Sequence, residues 1–194
     1  MTDIFHEIEE DLRRERLRKL WDRFGSYLIA LALLVVAGTA GWSGYTYWQQ
    51  QKAIAASAAF EAAAALEQDG KYQEAEAAFS ALATDGPAGY KVVARFAAAG
   101  AAAQKDKADG LAAFDAIAAD STMPEIARQM ARVRAGLILV DTGSLADVRQ
   151  RVGEIASGTG PLRNSAREAI ALSELKAGDA AAAHKTATEI AEDA

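Results

Sequence analysis

Apolar and polar positions fall into three successive regimes along the chain. From Ile4 to Phe24 apolar residues recur at helical spacing: Ile4, Phe5, Ile8 and Leu12, then Leu17, Leu20, Trp21 and Phe24 in a group shifted by one residue. Charged residues fill the intervening positions, so residues 1–25 are predicted to form an amphipathic helix. Residues 26–48 then run for 23 positions without Asp, Glu, Lys, Arg or His. At ~1.5 Å rise per residue, a helix of that length covers the ~30 Å hydrocarbon core of a bilayer. Beyond Gln49 the chain is Ala-rich, with good helix formers and no useful strand alternation. Breaks at Asp69-Gly70, Asp85-Gly86-Pro87, Lys105-Asp106, Ser121-Thr122-Met123-Pro124, Thr142-Gly143, Gly158-Thr159-Gly160-Pro161 and Gly178-Asp179 cut residues 49–194 into eight helices. The expected fold is all-α: one transmembrane helix followed by an α-solenoid of about four helix pairs.

The flanks of the apolar run set its orientation. Arg13, Arg14, Arg16, Arg18, Lys19 and Arg23 precede it, whereas Lys52 is the one base in the twenty or so residues that follow. Positive flanks stay cytoplasmic, so residues 1–25 are expected inside and residues 49–194 across the membrane, in the periplasm of a bacterial cell. Trp21, Phe24 and Tyr27 at one end and Trp42, Tyr45, Tyr47 and Trp48 at the other suit the two headgroup layers. A cleaved signal peptide fits less well, because the preceding segment is long and acidic and bulky aromatics follow the small residues. Acid-before-base pairs at i,i+4, Glu9 with Arg13, Glu10 with Arg14 and Glu15 with Lys19, support the first helix. That helix would lie on the membrane surface or dock a cytosolic partner. Within the run, Ala37 with Gly41 and Ala40 with Gly44 form two small-xxx-small pairs, a spacing that admits a second membrane helix at close range.

Charge and composition exclude several functions. The chain carries 27 acids and 21 bases, net −6, and lacks the basic footprint that nucleic acid requires. It has no cysteine, and its two histidines, His6 and His184, fall on opposite sides of the predicted membrane. Neither a metal cluster nor a histidine-based triad assembles within one domain. Gly158-Thr159-Gly160 lacks the third glycine of a dinucleotide loop and no phosphate-loop lysine pattern occurs. No enzyme, cofactor or metal is expected; Glu125 and Glu168 are scattered acids on helix faces.

The Ala-rich region also repeats. Gly70-Lys71-Tyr72 is followed by Ala75, Phe79, Leu82 and Pro87, which resembles the second half of a tetratricopeptide repeat. Weaker copies follow: Gly110, Phe114 and Ile117; Gly143, Leu145, Val148, Val152 and Ile155; and Gly178, Ala180, Ala183, Ala187 and Ile190. From Phe79 to Phe114, Val152 and Ala187 the periods are 35, 38 and 35 residues, close to a helix-turn-helix unit of about 34. The final repeat has no obvious polar capping helix after it.

With Asp3-Ile4-Phe5 and Glu10-Asp11-Leu12-Arg13-Arg14-Glu15 in the leading segment, then Leu20-Trp21, a single span and an Ala-rich repeat domain, the chain resembles the YfgM-like family over nearly its whole length. That resemblance implies an ancillary subunit of the SecYEG translocon in the inner membrane. It further implies a periplasmic repeat domain that works with the membrane-bound foldase PpiD and with chaperones of exported proteins. An envelope scaffold coordinating division or wall synthesis is the alternative. For the contact surface, Lys91 with Arg95, Arg128 with Arg132 and Arg163 with Arg167 are basic i,i+4 pairs on the first helices of the second, third and fourth repeats. Stacking would bring them into a ladder for acidic segments on the concave side. Pairing with acids such as Glu125 and Glu168 is the plainer alternative.

Overall fold

The computed structural model describes the backbone of residues 3–193 and the side chains of residues 18–193. Among the described residues there are eight α-helices and no strand: α1 (Asp3–Gln68), α2 (Tyr72–Asp85), α3 (Ala88–Lys105), α4 (Lys107–Ala119), α5 (Glu125–Thr142), α6 (Leu145–Ser157), α7 (Arg163–Lys176) and α8 (Ala180–Glu192). Contacts divide the chain into two units, Met1–Lys52 and Ala53–Ala194. The helix ends fall at the expected breaks after Gln68. One difference concerns the start of the repeats: their first helix is not a separate element but the C-terminal stretch of α1. No Gly, Pro or capping residue separates Trp48 from the Ala-rich run Ala53–Ala65, so nothing in the sequence stops the helix.

In the first unit, α1 carries a stretch long and apolar enough to cross a membrane. Its large apolar side chains, from Leu28 to Val36 and on to Trp42, are more than half exposed. Its threonine hydroxyls turn inward on the helix: Thr39 Oγ1 donates to the carbonyls of Val35 and Val36, both at 2.9 Å, and Thr46 Oγ1 donates to that of Ser43 at 3.0 Å. Lys52 Nζ lies 3.6 Å from the centre of the Trp48 ring. The amphipathic face expected at Ile4, Phe5, Ile8 and Leu12, the three acid–base pairs nearby and His6 lie outside the described side chains.

In the second unit, each helix pair closes on small residues. Ala63 on α1, Ala75 and Phe79 on α2 and Ala101 on α3 form one buried cluster, with Phe60 packed at 5.0 Å between ring centres against Phe79. The next cluster joins Ala99, Phe114, Ile117 and Met123 to Ala127, Ala131, Ala135 and Ile138 of α5. A further one joins Val133 and Leu139 to Val148, Val152, Ile155, Ala166 and Ala169. Helix α5 therefore contributes to both of the later clusters, from two different faces. Alanine dominates these contacts because it lets helix axes approach closely and costs no side-chain entropy on burial.

The repeat is visible in burial as well as spacing. Ala75, Gly110, Val148 and Ala183 are all buried, as are Phe79, Phe114 and Val152. Ala187, the fourth counterpart of Phe79, is exposed, because no described helix follows α8 to cover it. Gly110 permits the closest approach: a Cβ there would lie 2.3 Å from the Cβ of Ala103 on α3. Gly70 and Gly178 have φ of 76° and 83° and supply the left-handed residue that turns α1 into α2 and α7 into α8. Asp106, Ser144 and Asp179 cap α4, α6 and α8, Ser144 in a reciprocal box with Asp147.

Candidate protein-contact site

The six basic residues expected to form a ladder are all on α3, α5 and α7, and each is engaged within the fold. Lys91 Nζ donates to the Thr84 carbonyl at 2.8 Å. Arg95 pairs at 2.5 Å with Asp120, which follows α4. Arg128 bonds Glu125 in the same helix, and Arg132 lies 3.6 Å from Glu154 of α6. Arg163 is 2.9 Å from Asp193, which Arg167 also bonds while donating to the Ala156 carbonyl at 3.1 Å. Arg163 and Arg167 thus hold the end of α8 against α7. Arg95 and Arg132 line two separate clefts, one between α2, α3 and α4 and the other between α4, α5 and α6. The pairs are distributed among different helix junctions.

Other charges do similar work. Arg151 makes a two-point contact with Asp115, at 2.9 and 3.2 Å, across α4 and α6. Glu174 on α7 is only 2 % exposed; it accepts from Arg149 of α6 at 2.7 Å and from Thr186 Oγ1 of α8 at 2.9 Å. One carboxylate therefore connects three helices, consistent with the rule that buried charge is paired. Asp120 is held down to about 2 by hydrogen bonds from the Thr122 hydroxyl, then from Arg95 and the Thr122 amide. The Ser144 hydroxyl and amide lower Asp147 in the same way.

The open surface lies elsewhere on the same helices. Val92, Val93, Phe96, Ala97 and Gly100 of α3 face Ile126, Ala127, Met130 and Arg134 of α5 across a groove of about 560 Å³ whose lining is almost wholly apolar. Phe114 forms part of its lining, 6.1 Å from Phe96 between ring centres. Val93, Ile126 and Met130 are 52, 45 and 41 % exposed, a cluster of large apolar side chains rather than scattered ones. On α5, Ile126, Met130 and Arg134 follow one another at i,i+4 and so share a face. Arg128 and Arg132, two residues out of phase, point about 200° away from it. The Arg128–Arg132 pair and the groove therefore occupy opposite faces of α5.

Val93, Ile126, Met130 and Arg134 carry no motif that marks them as a contact surface in the sequence. Their signal is the width of the apolar arc on α5, where Ile126 and Met130 lie beside the core stripe Ala127, Ala131, Ala135 and Ile138. Of the other expected site residues, Ala37, Ala40, Gly41 and Gly44 are exposed, and a Cβ at Gly41 or Gly44 would meet nothing within 4 Å. Among the described residues no group of three or more His, Asp or Glu is placed to hold a metal ion, and His184 is exposed on α8.

Stacked helix pairs closing on small residues, with an open apolar groove between the first helices of adjacent pairs, define a helical-repeat protein-interaction module. The chain belongs to the tetratricopeptide repeat-like domain family, whose sequence model matches residues 18–193 and so takes in the apolar stretch of α1 as well as the repeats. Neither the curated proteins nor the solved structures give a significant match.

Proposed function

We propose that this protein is a membrane-anchored adaptor whose groove between α3 and α5 holds partner proteins. The observation that carries the reading is the contrast inside the repeat unit. Its charged side chains are mostly paired with one another, while Val93, Ile126 and Met130 stand exposed around a shared apolar groove. Burying such side chains is worth roughly 25 cal/mol per Å² of apolar surface, so this is where a partner gains most.

Residues 26–48 cross the bacterial inner membrane, with residues 1–25 in the cytoplasm and the repeat domain, from residue 49, in the periplasm. Length, the absence of charge and the basic leading flank support that topology. The resemblance to the YfgM-like family supports a place beside the SecYEG translocon, with a PpiD-like foldase, chaperones or newly exported chains as groove partners. Ala37, Ala40, Gly41 and Gly44 are the face through which the span meets another membrane helix, because a small-residue surface allows close backbone approach.

The test is site-specific photo-crosslinking in living cells from Gly41 and from Met130, with trapped proteins identified by mass spectrometry. Translocon subunits at Gly41 together with chaperones or foldases at Met130 are expected. Division or wall-synthesis proteins at Met130, with no translocon subunit at Gly41, would replace this reading with an envelope scaffold.

A further inference from the structure

Residues 53–194 contain eight arginines. Seven of them have a carboxylate oxygen within 3.6 Å. The eighth, Arg134, is exposed, lines the apolar groove, and has no hydrogen-bond or ion-pair partner among the described residues. It stands on the same face of α5 as Ile126 and Met130, ~12 Å beyond Ile126 at 1.5 Å per residue. Gly100 lines the same groove from α3, and a Cβ built on it meets nothing within 4 Å. The groove therefore has an apolar stretch, and it is open at Gly100.

We infer that the groove recognises an amphipathic protein segment carrying apolar side chains followed by a carboxylate, the apolar groups seated against Met130 and Phe96 and the carboxylate received by Arg134. The inference rests on the groove being the contact surface, as proposed above, and adds the chemistry of what it selects. A partner that covers the groove strips water from the guanidinium beside it. Without a counter-charge that desolvation is unfavourable, and a lysine placed there adds repulsion. A carboxylate instead forms a charge-assisted, two-point hydrogen bond whose fixed geometry sets the register of the segment. The apolar contacts supply affinity and Arg134 supplies selection.

The experiment uses the full chain in lipid nanodiscs and a displayed library of random peptides, selected in parallel on the unsubstituted protein and on Arg134→Glu. Apolar peptides enriched in Asp or Glu at a fixed offset are expected from the first selection, and Lys or Arg at the same offset from the second. Acid-bearing peptides should bind Arg134→Glu at least about tenfold more weakly, as expected for loss of a charge-assisted bond. Gly100→Leu adds an apolar side chain at a groove position where a Cβ would meet nothing within 4 Å, so it should abolish binding in both series while leaving the fold intact. Apolar peptides with no preferred charge that are still lost on Gly100→Leu would overturn the carboxylate selection and leave the groove as the contact surface. Peptides indifferent to Gly100→Leu would overturn the groove itself and this inference with it.

Discussion

Helices α3 and α5 each present a basic face and an apolar face, and the fold uses them in opposite ways. On the basic face, Arg95, Arg128 and Arg132 meet carboxylates of the same unit, Asp120, Glu125 and Glu154. On the apolar face, Val93, Ile126 and Met130 remain exposed around a groove, with Arg134 unpartnered among the described residues beside them. Conspicuous charge in a helical repeat is therefore poor evidence of a binding surface, since neighbouring helices supply counter-charges. An exposed apolar side chain next to a well-packed core has no such internal outlet, because the core positions are already filled.

Substitutions on the two faces should separate stability from binding, and the largest effect falls where the groove meets the core. Phe114 is 5 % exposed yet lines the groove, so Phe114→Ala should cost about 3–5 kcal/mol in urea unfolding of the full chain and weaken partner capture as well. Gly110→Ala should follow at about 1–3 kcal/mol through overpacking, since the added methyl would meet the backbone of Ala103. Arg167→Ala removes bonds to the Ala156 carbonyl and to Asp193. It should cost about 2 kcal/mol, seen as a lower urea midpoint, with crosslinking from Met130 unchanged.

Acid provides a subtler test of the paired face. Asp120 titrates near 2 when folded, below its ordinary value, because the Thr122 hydroxyl and Arg95 stabilise its charged form. Its contribution to stability is complete above the ordinary carboxylate range and is lost as pH falls from about 4 through about 2. Asp120→Asn should therefore flatten the pH dependence of the unfolding midpoint in that window. The smallest effect on stability is expected on the open face: Met130→Ser should change it by no more than about 0.5 kcal/mol, while removing most partner crosslinks made from a photo-reactive residue at Val93, across the same groove.

Much of this fold is legible in the sequence for local reasons. Gly70, Gly86, Pro87, Pro124, Gly143 and Gly178 mark helix ends through their own backbone preferences, and Ala75, Phe79 and Leu82 have buried counterparts in the second and third repeats. The 23-residue uncharged run is equally plain. The continuity of α1 through Trp48 is less so, because a change in composition reads as a boundary even when no residue breaks the helix. The role of the basic pairs is not legible at all, since Arg95 finds Asp120 and Arg163 finds Asp193 far along the chain. The groove is equally hidden: which apolar residues of α3 and α5 stay uncovered depends on how adjacent repeats stack. Repeats with strong spacing thus reveal the scaffold before they reveal its contact surface.

Partners are expected to meet the apolar face of α5 rather than its basic face. A photo-reactive residue placed in parallel at Met130 and at Arg132, in otherwise identical cells, tests this most directly. Discrete crosslinked partners are expected from Met130 and little from Arg132, which faces Glu154. The same partners trapped from Arg132 and absent from Met130 would contradict this and return the basic ladder as the binding surface.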